Sequence, residues 1–201
     1  MTLLSTAQGW WREKQSVNYI DALSDDELLQ NFATRSEAKF IEELMQRHNK
    51  ALYPFLVALS DTHTAEDIAQ QTWLKLIEQP LRYTKTNAGF RTWLFTVARN
   101  RLFDTLRQAR HWQWDTLEET TEAELPFYND DLEFTAQSHI QNKFNQALLT
   151  LPFVQREAIS LQLEGFSLAE LAAITNEKPE TIKSRLRFAR KNLKQTLEQT
   201  A

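Results

Sequence analysis

Residues 165–193 read GFSLAELAAITNEKPETIKSRLRFARKNL, and the spacing inside this stretch decides the fold. Ser167 and Glu170 stand where a hydroxyl and a carboxylate satisfy opposite backbone donors of a first helical turn. The small residues of AELAAIT permit a close helix crossing, Asn176-Glu177-Lys178 supplies a turn, and Pro179 suits the first turn of a second helix. Ile182, Leu186, Ala189 and Leu193 recur at helical spacing and form that helix's buried stripe. Thr181, Lys183, Ser184, Arg185 and Arg187 point elsewhere, close to its N-terminal end. The pattern predicts a helix-turn-helix whose second helix lies in a DNA major groove, with bases reaching guanine edges or phosphates. The competing reading is a basic, solvated helix on the outside of a bundle.

Upstream, the chain reads as helix almost throughout. Three glycines and five prolines in 201 residues leave few interruptions, and Leu, Ala, Glu, Gln, Lys and Arg dominate. Helices are expected near 25–33, 36–59, 64–79, 88–110, 138–150, 153–164, 167–175 and 179–198. Ser24 with Glu27, and Thr64 with Asp67, repeat the capping pattern of Ser167 with Glu170. Phe40, Leu44, Leu52, Phe55, Leu56 and Leu59 form one core stripe; Trp93, Leu94, Val97, Ala98, Leu102 and Leu106 form another.

Charge divides the chain further. The net charge of −4 argues, taken alone, against a nucleic-acid binder, but the signs are segregated. Arg82 to Arg110 holds seven bases against Asp104, and Lys178 to Lys194 holds seven against Glu180. Asp115 to Glu133 holds eight acids and no base, with turn-forming residues and little apolar periodicity, as a linker would. Two basic blocks on an acidic tether suggest two contacts with one polyanion. The loop EQPLRYTKTNAG, with Tyr83 among hydroxyl and basic residues, fits the holding of an unpaired base and a plain solvent loop equally well.

Other functions find no support. Cysteine is absent, which fits a reducing cytoplasm and removes thiolate metal sites, and the four histidines are scattered. The sequence contains no Gly-rich phosphate loop and no paired nucleophile and base, so neither an enzyme nor any cofactor or metal is expected. No apolar run approaches a membrane span, and no secretory signal is evident.

Four stretches in this order, AEDIAQQTWLKL, FRTWLFTVARNRLFDTLR, ALLTLPFVQREAISLQLEGFSLAELA and ETIKSRLRFARKNL, resemble a bacterial RNA polymerase sigma factor of the extracytoplasmic-function type over roughly residues 20–200. The resemblance implies an all-α chain: an N-terminal extension over 1–19, a helical docking and −10 domain over 20–112, an acidic linker over 113–137, and a helix-turn-helix domain for −35 over 138–201. It implies that Asp67, Gln70, Gln71, Trp73 and Leu74 dock on a coiled coil of the polymerase's largest subunit. Tyr83, Thr96, Asn100 and Asp104 then fall on the −10 surface, and Thr181, Lys183, Ser184, Arg185 and Arg187 on the −35 helix. Phe188 stands where the family usually has arginine, and Glu180 replaces a small residue. Implied partners are core polymerase, including its flap, promoter DNA and an anti-sigma factor, with the chain in the cytoplasm and not inserted in membrane. A second class, a helix-turn-helix repressor or activator acting alone, would bind an operator without polymerase.

The docking helix departs from the family pattern. Thr64 stands where the family has Asp, and Gln71 where it has Asp or Glu, so two docking charges are missing. The resemblance extends to a kinase-coupled group. Phosphorylation of Thr64, or of Thr62 as the fallback, by a Ser/Thr kinase would restore about −1.5 to −2 charges at a helix N-terminus. The competing role for Thr64 is a plain helix cap.

Overall fold

A computed structural model describes residues 19–80, 83, 89–111 and 136–199. Residues 1–18 of the expected N-terminal extension, most of loop 80–87 and nearly all of the acidic linker lie outside the described residues. A helical turn at 19–22 precedes α1 (Asp25–Arg35), α2 (Ala38–Leu59), α3 (Thr62–Glu78) and α4 (Gly89–His111). The second half comprises α5 (Ala136–Leu149), α6 (Phe153–Leu163), α7 (Leu168–Thr175) and α8 (Pro179–Gln199). No strand occurs among the described residues, as the composition predicts.

Local chemistry sets the boundaries. Ser24 and Glu27 close a reciprocal capping box on α1, whose first turn carries Asp25, Asp26 and Glu27 at the positive end of the helix dipole. Ser167 and Glu170 do the same for α7. The start of α3 differs from expectation. Its cap is Asp61, whose carboxylate accepts from the Thr64 backbone N–H at 2.8 Å and from the Thr64 hydroxyl at 2.7 Å. Thr64 is therefore the third helical residue rather than the cap, and the helix begins at Thr62. A carboxylate with two acceptor oxygens engages two donors at once, and this outcompetes a hydroxyl cap one turn later. Gly165 at φ 83° and Asn176 at φ 55° turn the chain before α7 and after it, in the left-handed region that these residue types tolerate.

The core is continuous across the two halves. In the N-terminal half α1, α2, α3 and α4 bury Leu28, Phe40, Leu44, Leu52, Leu56, Ile68, Leu76 and Leu94. Phe95 of α4 packs on Phe55 of α2 at 5.3 Å between ring centroids, and on Phe166, just before α7, at 4.8 Å and edge-on. In the C-terminal half Leu161, Leu171, Ile174, Ile182, Leu186, Ala189 and Leu193 close the helix-turn-helix. The stripe read from 182–193 is buried as expected.

Candidate nucleic-acid interface

Helix α8 buries Ile182, Leu186, Ala189 and Leu193 and turns the opposite side outward. Lys183 and Arg187 are exposed there, and Thr181 and Ser184 half-buried. Lys183 donates to Glu180 at 2.8 Å, an exposed pair that water screens and that a phosphate can displace. Arg185 is placed differently. Its guanidinium donates to Glu177 in the preceding turn at 2.7 Å and is only 18% exposed, so it fastens the turn to the helix.

On α4, Thr96, Asn100 and Asp104 recur every four residues along one face, and Asn100 and Asp104 are exposed. Thr96 donates its hydroxyl to the Thr92 carbonyl at 2.8 Å. Tyr83 is not a free ring in this structure. It packs edge-on against Phe90 and Trp93 at 5.5 Å each, and its hydroxyl donates to Asp26 at 2.7 Å. Burial first, and then the Asp26 carboxylate, push the phenol well above its usual range. Loop 80–87 is thus tied at one point to the first turn of α1.

Along α3, Asp67, Gln70, Gln71 and Leu74 form an exposed stripe at helical spacing, with Leu74 55% exposed. Ile77, 40% exposed, extends it and was missed in the sequence; an apolar residue three positions after Leu74 is the signal that marks it. Trp73 is corrected: it is buried against the core with Ala65, Ala69, Thr72 and Leu76, and only its indole N–H reaches out, to Asn49 at 3.4 Å. It cannot present its ring to a partner. Gln71 accepts from Arg101 of α4 at 2.9 Å, where an acid would form an ion pair. Burial raises the Asp61 carboxyl, but the hydrogen bonds from Thr64 outweigh it and hold the group below its ordinary pKa.

Helix α4 also makes a set of contacts with the C-terminal half that the sequence does not announce. Arg99, beside Asn100, donates to Glu157 of α6 at 2.5 and 3.4 Å, with the arginine side chain 13% exposed and the carboxylate fully buried. Burial pushes Glu157 upward, against the opposing effect of Arg99 and, more weakly, of nearby Arg185. Arg91 donates to the Glu164 carbonyl and lies 4.2 Å over the Phe166 ring, while Thr92 donates to Glu170 at 3.3 Å. Phe103 meets Phe153 edge-on at 5.2 Å. Helix α4 is therefore clamped along one side by residues of α6, α7 and the turn before α7. Among the described residues no cluster of His, Asp or Glu could hold a metal, and no helix is long and apolar enough to cross a membrane.

Sigma-70 region 2 matches residues 44–111 and sigma-70 region 4 matches residues 141–193, which contain α4 and the helix-turn-helix respectively. The extracytoplasmic-function sigma factor SigL of Mycobacterium tuberculosis is 31% identical over 176 residues, covering 83% of this chain and 94% of SigL. RpoE of Cereibacter sphaeroides, of the same type, is 32% identical over 163 residues, covering 80% of this chain and 87% of its own. The structure of the sigma factor RpoE with the anti-sigma factor NepR from Bartonella quintana superposes with a TM-score of 0.60 at 29% identity, over 78% of this chain and 96% of that one. The chain belongs to the extracytoplasmic-function sigma factors of the sigma-70 family, non-enzymatic factors of RNA polymerase transcription initiation.

Proposed function

We propose that this chain recruits core RNA polymerase to promoters carrying paired −10 and −35 elements, through a docking and −10 domain over 20–112 and a −35 domain over 138–201 joined by the 113–137 linker. The exposed α3 stripe of Asp67, Gln70, Gln71, Leu74 and Ile77 docks on the coiled coil of the polymerase's largest subunit, and the helix-turn-helix domain meets the flap. Thr96, Asn100 and Asp104, with Tyr83 once released from its aromatic cluster, face the −10 strand. Thr181, Lys183, Ser184 and Arg187 face −35, and Arg185 orients that helix through Glu177. The chain acts in the cytoplasm, associated with the nucleoid while polymerase holds it, and without membrane insertion.

The observation that carries this reading is the joint presence, on one chain of the family, of an exposed basic recognition helix and an exposed Asn100–Asp104 face. Core polymerase supplemented with the chain should initiate on its own promoters, and Lys183→Ala or Arg187→Ala should reduce −35-dependent initiation by about 1–3 kcal/mol where a base edge is contacted. Unchanged initiation by both variants would remove α8 from the DNA contact.

The same reading extends to control by a Ser/Thr kinase or an anti-sigma factor. Phosphorylation at the start of α3 returns negative charge beside the docking stripe, where Thr64 and Gln71 have replaced acids. At Thr64 the phosphate has to break the hydroxyl's bond to an ionised Asp61. At Thr62, the exposed first residue of the helix, it meets free N–H groups and leaves the cap in place. Phosphoprotein should bind core polymerase more tightly than the unmodified chain, by about tenfold or more if one interfacial charge pair is restored. Thr64→Ala and Thr62→Ala identify the residue. Equal affinity of the phosphorylated and unmodified forms would return Thr64 to a purely structural role.

A further inference from the structure

Phe188 is an anomaly on the recognition helix. It is 43% exposed, while the apolar side of α8 is already filled by Ile182, Leu186, Ala189 and Leu193. It sits seven residues after Thr181 and four after Ser184, so the three share the face turned away from that core. Its neighbours on the outer side, Arg187 and Lys191, are exposed bases, and the Arg187 guanidinium lies 5.0 Å over the Phe188 ring. On the reading of α8 as a helix that enters the major groove, a ring on this face is placed to meet an apolar group there. B-DNA offers one there, the C5-methyl group of thymine.

We infer that Phe188 is a specificity-determining residue that packs on a thymine methyl in the −35 element, with Arg187 held over the ring to contact the flanking phosphate. The inference rests on the reading of α8 as the −35 helix. Phenylalanine has no hydrogen-bonding group for a base edge, so discrimination at this position comes from the fit and burial of a methyl group. An arginine in its place would select a guanine instead, through O6 and N7. The substitution therefore changes which base is read.

The test uses the holoenzyme, formed from core polymerase and the full chain, on a promoter it initiates from. Each −35 thymine is replaced in turn by deoxyuridine, which removes only the methyl group. Binding should weaken about fourfold at one or two positions, the factor corresponding to one buried methyl. Phe188→Ala should bind the thymine promoter correspondingly more weakly and lose all sensitivity to deoxyuridine at those positions. Phe188→Arg should lose the same sensitivity and gain a preference for guanine. Because the ring is exposed, both variants should bind core polymerase as the parent does, and this serves as the control for folding. A −35 element with no methyl-sensitive thymine, or sensitivity retained in Phe188→Ala, overturns the proposal. If Lys183→Ala and Arg187→Ala are also without effect on −35-dependent binding, the reading of α8 falls with it; if they weaken binding, only the role of Phe188 fails.

Discussion

Fastening α4 to α6 should lower promoter-directed initiation about tenfold or more, and releasing it should restore activity. The reason is geometric. The −10 and −35 elements lie roughly 25 base pairs apart, about 85 Å along B-DNA at 3.4 Å per step. A compact chain of this length has a radius of gyration of about 17 Å and hence a diameter near 45 Å. Here Arg99, next to Asn100, is bonded to Glu157, and Glu157 in turn feels the charge of Arg185. The faces proposed to read −10 and −35 thus share one continuous core narrower than the spacing of the two elements, so on the proposed function the docked arrangement does not engage both. The segment 112–135 between the two halves can reach at most roughly 80 Å when extended, enough for most of that separation once the halves part. The chain has no cysteine, so Phe103→Cys with Phe153→Cys provides a unique pair at the 5.2 Å ring contact. Joined by a short reducible linker, this variant should initiate about tenfold less or worse, the factor being set by the fraction left unlinked. Reduction should recover the activity of the unlinked variant. Full activity while linked would mean that the docked arrangement is itself competent.

Arg99→Ala should open the molecule without unfolding either half. Removing one member of a buried ion pair leaves the other charge uncompensated, at a cost of about 3–5 kcal/mol. Glu157 is fully buried beside Arg99, the pair that joins α6 to α4, so separation of the halves is expected to return it to water and the penalty to fall on docking rather than on folding. The radius of gyration in solution should rise, while the helical content stays constant. Replacing both members, Arg99→Met with Glu157→Leu, should restore compactness, because an apolar pair carries no desolvation cost. Acidity acts in the same direction as docking. Burial raises Glu157 above the ordinary 4.5, so docking takes up a proton and is favoured at low pH. That contribution is complete below the ordinary value and is lost as pH rises through the raised one. An unchanged radius in Arg99→Ala would show that the remaining contacts of Arg91, Thr92, Phe95 and Phe103 hold the halves together without this ion pair.

Much of this molecule was legible in its sequence because local chemistry sets its helices. The capping boxes at Ser24 and Ser167 and the stripe from Ile182 to Leu193 need only neighbouring residues to be recognised, and all are observed. The start of α3 was misread for an equally local reason. Asp61 and Thr64 have the same three-residue spacing as Thr64 and Asp67, and a carboxylate bonded to both donors of Thr64 places the cap at the earlier position. Trp73 falls among the docking residues through the family resemblance, but it shares a helical face with Ala65, Ala69 and Leu76 and packs in the core, the alternative that its own period favours. The clamp on α4 was not legible. Arg99 and Glu157 are 58 residues apart, Tyr83 and Asp26 are 57 apart, and charge pairing at such separations follows from tertiary packing. Phe188 occupies the intermediate case, visible in sequence as a departure from the family and given its meaning by the face on which it lies.

The most direct test is a distance. Spin labels at Gln108 and Gln195, both exposed, report on α4 and α8 without touching the reading residues. In the free chain their separation should fall below about 45 Å, within the compact diameter. In the complex of core polymerase with promoter DNA it should lengthen toward the roughly 85 Å between the two elements. A short distance retained in a complex that initiates transcription would contradict the two-module reading of the promoter.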